Sequence, residues 1–336
     1  MSSMYIEKNE RYSISRTYQN VNSEENKKFW DYSSKKVTWG NVDDYSVGRV
    51  LGKGNFSTVY KGIHKSTKEH VTIKILEKDR ADKIRREISV LRRLKGGRNV
   101  AHIFDVVKDY NVNKKCIVMH FYKNDNLITR NTTLDEREVK LYMYQLLNGL
   151  NEAHGKGVIH RDIKPSNIVI NRKRMRLKII DWGMADFYHP YKEYHLRVGS
   201  HYYKAPELLL GMKQYDYSLD MWSFACLFSG LICNSFPFFK GKEEPDLLRS
   251  ISGFFGKYEL LSYIEKYSLS EPCKENLEAI YNGSEESKMV LESSGSSFKS
   301  ELALDLISKV MRVDHQERLT AKEAMEHPYF DEVRNI

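Results

Sequence analysis

HRDIKPSNIVINRKRMRLKIIDWG, residues 160–183, decides the reading of this chain. The stretch sets Asp162, Lys164, Asn167 and Asp181 along one loop–hairpin–loop. Phosphoryl transfer needs those four chemistries at close quarters. A carboxylate must accept the proton of an attacking hydroxyl, and a cation must hold the moving phosphate. An amide and a second carboxylate must share Mg²⁺ over the nucleotide oxygens. Asp162 and Lys164 are the catalytic candidates, and Asn167 and Asp181 are the candidate metal ligands.

Working outward, residues 45–76 alternate and are rich in β-branched side chains, which predicts three strands with turns at Gly52–Phe56 and His64–Lys68. The first turn is rich in glycine, so backbone N–H groups can approach phosphates without Cβ interference. Leu51, Gly52, Lys53, Gly54, Asn55, Phe56, Ser57, Thr58 and Val59 are therefore candidate nucleotide contacts. Many hairpins carry two glycines, and Ser57 stands where a third is common. Because strands flank the turn on both sides, a dinucleotide-binding reading is disfavoured. Lys74 lies near the end of the third strand. The helix predicted from DKIRREISVLRRL has an apolar stripe of Ile84, Ile88, Leu91 and Leu94, beside which Glu87 can turn inward to Lys74. The bland alternatives are an exposed strand lysine and a solvated helix acid.

Two strand-like runs follow, Val100–Val107 and Cys116–Phe121, and lead into a polar linker at 120–126. Backbone groups around Met119, Phe121 and Tyr122 are expected to hydrogen-bond an adenine-like base. Thr133-Leu134-Asp135-Glu136 reads as a capping box opening a helix that ends at Gly155 and Gly157. Two short strands, Ile168–Ile170 and Leu177–Ile180, flank a basic turn, Arg172–Arg174, expected to be a solvated hairpin tip. Asp220 begins an apolar helix, and Arg318 is placed to pair with Glu207. Residues 268–300 read as an irregular polar insert, and no internal repeat is evident.

The 336 residues, 41% of them hydrophobic, suffice for a large core, and a net charge of +9 suits anionic partners, a merely solvated surface being an equal alternative. Cys116, Cys226, Cys233 and Cys273 form no Cys-x-x-Cys pair and read as reduced thiols. No apolar run approaches the ~20 residues of a membrane span, and residues 1–13 lack a secretory signal core. The expectation is an intracellular protein without membrane or specific nucleic-acid partners. Residues 1–43 form a segment whose first dozen positions read as disordered, whereas the aromatics of 15–43, among them Trp30, Tyr32 and Trp39, need a body to pack on.

His160-Arg161-Asp162 with Asn167, Asp181-Trp182-Gly183 and Ala205-Pro206-Glu207 resemble the catalytic loop, metal-binding motif and activation-segment end of eukaryotic Ser/Thr protein kinases. The resemblance implies an α+β, two-lobed fold over 45–330, with an N-lobe at about 45–121 and a C-lobe at about 127–330. Finer stretches are similar to the casein kinase 2 catalytic (alpha) subunit family: Trp30-Asp31-Tyr32, Lys83–Ile88, Asp181–Pro190, Tyr194–Val198, Tyr215–Trp222 and Ala321–Phe330. That likeness runs from about residue 15 to the C-terminus. It implies MgATP-dependent phosphorylation of Ser/Thr followed by acidic residues, without activation-loop phosphorylation, in cytoplasm and nucleus. It also implies that the N-terminal segment braces the activation segment, with the Trp182 indole pinning the metal loop. Lys74 and Glu87 would serve the nucleotide phosphates. Acidic substrates would be read by Arg80, Lys83, Arg85 and Arg86 at the regulatory helix, with Lys164, Arg197 and Lys204 nearer the site. A regulatory beta-subunit dimer, completing a heterotetramer, would dock on N-lobe apolar positions Val47, Tyr60, Ile73, Ile75 and Val118, which equally suit ordinary sheet core.

Departures temper these implications. Asp82 interrupts the basic run and His201 replaces an expected arginine, so acidic preference should be weaker. Thr72 and Met119 differ from the family's nucleotide pocket, which puts use of GTP beside ATP in question. The rivals are a Pro-directed kinase of the cyclin-dependent or glycogen-synthase branch and a pseudokinase scaffold; loss of Lys74, Asp162 or Asp181 would mark the latter, and all three are present.

Overall fold

The computed structural model describes residues 13–25, 27–54, 56–78, 80–128, 134–269 and 300–336. The first dozen residues, Asn55, Thr133, Cys273 and most of the expected insert lie outside them. The chain enters as a strap with one short helix, α1 (Val21–Glu24), and ends it in a two-residue strand, β1 (Gly40–Asn41). The alternating segment then forms β2 (Tyr45–Lys53), β3 (Ser57–His64) and β4 (His70–Leu76), turning where expected. After α2 (Ala81–Arg93) come β5 (Ile103–Asp109) and β6 (Lys114–His120). β5 starts later than the run at Val100 suggests, because Val100 instead bridges Ile179 of the C-terminal half.

These strands make a six-stranded sheet in the order β1-β5-β6-β4-β3-β2, antiparallel except for β1 on β5. Tyr45, Val71, Ile73, Val107, Cys116 and Val118 cluster on one face. On the other, Val106, Ile117 and Met119 join the α2 residues Ile84, Ile88 and Leu91 in the main core.

The C-terminal half begins with α3 (Glu136–Gly155). Its cap is Asp135 with Glu138, in place of the expected box opening at Thr133. The Asp135 carboxylate accepts the Glu138 N–H at 2.7 Å, and the Glu138 side chain returns to the Asp135 N–H at 3.2 Å. Short strands follow: β7 (Val158–Ile159), β8 (Ile168–Asn171), β9 (Arg176–Ile179) and β10 (Asp186–Phe187). The basic turn is solvated only at Lys173 and Arg174. Arg172 folds back into a bidentate pair with Glu138 at 2.6 and 2.7 Å, a geometry that suits a planar guanidinium.

The remaining helices are α4 (Pro206–Leu209), α5 (Ser218–Ile232), α6 (Glu244–Phe255), α7 (Lys257–Lys266), α8 (Glu301–Val310) and α9 (Ala321–Met325). α5 is apolar around nearly its whole circumference and is buried accordingly, with Trp222 and Phe224 fully enclosed. The molecule is thus α+β, a sheet-rich N-terminal lobe on a helical C-terminal lobe. Cys116, Cys226 and Cys233 are free thiols. Among the described residues no helix is long and apolar enough to cross a membrane.

The strap ties the lobes together. Arg16 donates to the Arg318 carbonyl at 2.7 Å, and the Ser15 N–H donates to the Tyr188 hydroxyl at 2.8 Å. Tyr32 stacks on Phe187, Trp30 meets His189 edge-on, and Arg93 of α2 pairs with Glu25 at 3.0 Å. Asn22 is buried and donates to the carbonyls of Gly157 and Tyr188 at 2.7 and 2.8 Å. Gly157 has φ +73°, and a Cβ there would stand 2.4 Å from the Asn22 amide nitrogen, so only glycine allows the contact. Asn22→Ala strands the Tyr188 carbonyl and leaves the Gly157 carbonyl only the Tyr188 N–H at 2.9 Å; the loss is expected to cost about 1–3 kcal/mol, read as a lowered urea midpoint. An unchanged midpoint would mean that water replaces both bonds.

Candidate active site

β4 and α2 carry the first half of the site. Lys74 sits between its β3 and β6 neighbours Val59 and Ile117, which direct its side chain under the sheet toward α2. Its ammonium donates to Glu87 at 2.7 Å and to Asp181 at 2.8 Å, and Lys74 and Glu87 are both buried. Burial alone would lower the lysine pKa, but the charges of Glu87 and Asp181 outweigh it and raise it above the ordinary lysine range. Gly183 makes this closure feasible, since a Cβ there would crowd the Lys74 ammonium at 3.2 Å and Glu87 at 3.3 Å. Asp181 itself has φ +57°, a strained setting for a non-glycine residue.

The loop between β7 and β8 carries the second half. Asp162 accepts hydrogen bonds from the Ser200 hydroxyl at 2.7 Å and the Asn167 amide at 3.0 Å, and Lys164 lies 2.9 Å from it. The Lys164 ammonium also reaches the Ser200 oxygen at 2.6 Å. Asn167 gives its other N–H to the Asp162 carbonyl at 2.8 Å, which leaves the Asn167 side-chain oxygen as its ligand atom. From below, Asp220 of α5 accepts the backbone N–H groups of His160 and Arg161, each at 2.8 Å, and His154 at 3.0 Å. Burial would raise the Asp220 carboxyl, but these hydrogen bonds, His154 foremost, hold it below the usual range. They also fix Arg161 at φ +66°. His160 donates its Nε2–H to the Ile180 carbonyl at 3.1 Å and accepts the Asp162 N–H at its other nitrogen, so its tautomer is set. The Trp182 indole N–H reaches the Ile179 carbonyl at 3.4 Å.

Oxygen donors on Asn167 and Asp181 suit a hard cation. The Asp181 side chain keeps 49% of its surface open. Among the described residues no cluster of three or more His, Cys, Asp or Glu could form an all-protein metal cage. A Mg²⁺ ion that shares its coordination with nucleotide phosphates fits this arrangement. Over the cleft, a Cβ at Gly52 would meet nothing within 4 Å, so this turn has room for a bound group. Met119 pairs across the sheet with Thr72 and Ile103. The side chains of Phe121 and Tyr122 are occupied elsewhere: Phe121 lies under Lys61, and the Tyr122 hydroxyl accepts the His102 N–H at 3.1 Å. What remains for a base is backbone, less the Phe121 N–H, which donates to the His70 carbonyl at 3.4 Å.

The candidate substrate-reading cations divide. Arg80 and Lys83, with Lys78, gather over the exposed ring of Phe56 at 4.9, 5.8 and 5.3 Å from its centroid. Arg197 is exposed. Arg85 is spent on Asp82 at 2.6 Å. Arg86 is not a free substrate group: it lies 3.5 Å from the buried carboxylate of Asp186 and donates to the Gly183 carbonyl. Lys204 is also taken, by an ion pair with Glu244. Both pairings have one cause, a carboxylate brought from a distant stretch by the fold.

Three functional neighbours escaped the sequence reading. Ser200 touches both Asp162 and Lys164. Asp186 draws together Arg86, Arg161 and Lys192. His154 backs Asp220. None carries a periodic or motif signal of its own. A protein kinase domain model matches residues 45–330, well over half of the chain, and the chain belongs to that family.

Proposed function

We propose that this member of the protein kinase family transfers the γ-phosphoryl group of ATP to Ser or Thr followed by acidic residues, and does so without activating phosphorylation. It thereby resembles the casein kinase 2 catalytic subunit. Asp162 accepts the proton of the acceptor hydroxyl, and Ser200 and Asn167 hold its carboxylate in place. Lys164 stands beside it to balance charge on the group in transfer. Lys74, oriented by Glu87, would hold the nucleotide phosphates under the Gly52–Val59 turn, and Asn167 and Asp181 would hold Mg²⁺. Bound Mg²⁺ supplies charge neutralisation at the phosphate oxygens. ATP is proposed over GTP, because Thr72 and Met119 stand where the family pocket differs.

The observation that carries the acidic preference is the cluster of Lys78, Arg80 and Lys83 on Phe56. None of the three has a carboxylate partner among the described residues, and crowded like charges favour an anion beside them. Activity without phosphorylation is supported by Asp186, whose carboxylate already serves Arg86, Arg161 and Lys192, as an added phosphate elsewhere would. The strap contacts to Phe187, Tyr188 and His189 brace the same segment.

We also propose a beta-subunit-like partner on edge strand β2 and its neighbour, where Val47, Val50, Leu51 and Ile63 are 55%, 52%, 40% and 37% exposed. Ile73 and Val118, named above for that role, are sheet interior at 3% and 0%.

Radiolabel transfer by the purified, bacterially expressed chain tests the reading. A Ser peptide followed by Asp or Glu should be labelled without any activating kinase. Labelling of a Ser-Pro peptide alone would move the protein to the Pro-directed branch, and silence on both with ATP bound would favour a scaffold or a missing partner.

A further inference from the structure

We infer that Glu244 is a specificity-determining residue that occupies Lys204 from within the chain and withholds this cation from substrate. The inference rests on the acidic-substrate reading above and divides it in two. Acidic residues are read on the Arg80 and Lys83 side and left unread at Lys204.

Lys204 lies on the segment that begins with Ser200, whose hydroxyl joins Asp162 and Lys164. The Lys204 side chain is only 13% exposed, while the Glu244 side chain that pairs with it is 55% exposed. Little of this lysine is open to an arriving anion, and Glu244 already stands against its ammonium.

This carboxylate is built in. Glu244 is the first residue of α6, whose N-cap Glu243 forms a capping box with Asp246 and whose first turn contains Pro245. The Asp246 carboxylate accepts the N–H groups of Lys242 and Glu243 at 3.2 and 3.3 Å. The preceding loop is anchored to the same segment, because His201 donates to the Gly241 carbonyl at 3.1 Å. A carboxylate in the first turn of a helix is favoured by the macrodipole, which suits Glu244 to this place beside Lys204. A substrate carboxylate arriving there meets a like charge already tethered to its target, and tethering gives Glu244 the advantage. Specificity is set here by a repulsive element. By contrast, Lys78, Arg80 and Lys83 have no such internal acid among the described residues.

The test scans one Asp through each position after a Ser acceptor in an otherwise neutral peptide. The full chain is compared with E244Q, E244A and the double variant E244Q/K204M, with kcat and KM read separately. E244Q and E244A should each gain about two- to five-fold in kcat/KM for Asp at one and the same position, an effect the size of a surface ion pair. The gain should come through KM, and the double variant should lose it. A structural role for Glu244 would instead shift all positions and the KM for ATP together. The inference is overturned if the E244Q profile matches that of the unaltered chain, if the gain is uniform, or if it survives in the double variant. If the unaltered chain prefers Asp at other positions while E244Q changes nothing, only Glu244 falls. If it labels no acidic peptide, the acidic reading falls and takes the inference with it.

Discussion

Asp162→Asn is expected to lower kcat by about 10²- to 10⁴-fold, the range that a positioned general base supplies, while ATP still binds. Asp162 is 8% exposed and its carboxylate is held from both ends. One oxygen accepts from Ser200 at 2.7 Å, and the other faces Asn167 at 3.0 Å and Lys164 at 2.9 Å. An asparagine keeps the shape but cannot take a proton at neutral pH. Its NH₂ would also face a donor on one side, so some local turning of Ser200 or Asn167 is expected. The loop itself should stand, because Asn167 keeps its 2.8 Å bond to the residue-162 carbonyl and Asp220 keeps both backbone N–H groups. The nucleotide side is built separately from Lys74, Glu87 and Asp181, so ATP affinity should hold. Single-turnover transfer to the acidic peptide, beside an ATP titration, checks this. Undiminished kcat would place the base elsewhere, and loss of ATP binding would show that the two halves are coupled.

Those two halves differ in how far the sequence disclosed them. The meeting of Lys74 and Glu87 was legible because each element has a period. A strand fixes which face Lys74 takes, and a helical stripe puts Glu87 next to buried residues. The four residues of the 160–183 stretch were legible by spacing, since a short hairpin can only return Asp181 beside the loop it left. Ser200 was not. It joins Asp162 across a long connection with no repeat, and any hydroxyl of that segment would have served a sequence argument equally. Lys204 shows the same limit for charge. Its partner is one of 45 acids in the chain, and nothing local says that the N-terminus of α6 arrives there. The α3 cap was misplaced because Thr133 and Asp135 are both good capping types, and backbone angles decide between them. β1 is two residues long and takes its extended state from its partner strand β5 alone.

The largest loss of stability is expected at the pair of Arg318 and Glu207, both side chains of which are fully enclosed. The five guanidinium N–H groups have five acceptors. Two bonds of 2.7 Å run to the two Glu207 oxygens, and three run to the carbonyls of Arg312 at 2.8 Å and Ser218 and Val313 at 3.0 Å. The arginine also lies over the Trp222 ring at 5.0 Å. It therefore ties the end of the activation segment to α5 and to the loop before α9. Burying two charges is costly, so the intact pair need not stabilise the fold relative to an apolar pair of the same size. Breaking it is another matter. Arg318→Met leaves a buried carboxylate without a counter-charge, and a loss of about 3–5 kcal/mol is expected, seen as a lowered urea midpoint. Adding Glu207→Leu removes the stranded charge, and the double variant should recover much of the loss. A double variant no more stable than Arg318→Met would locate the cost in the three carbonyls that lose the guanidinium, making Arg318 a backbone clamp first and an ion-pair partner second.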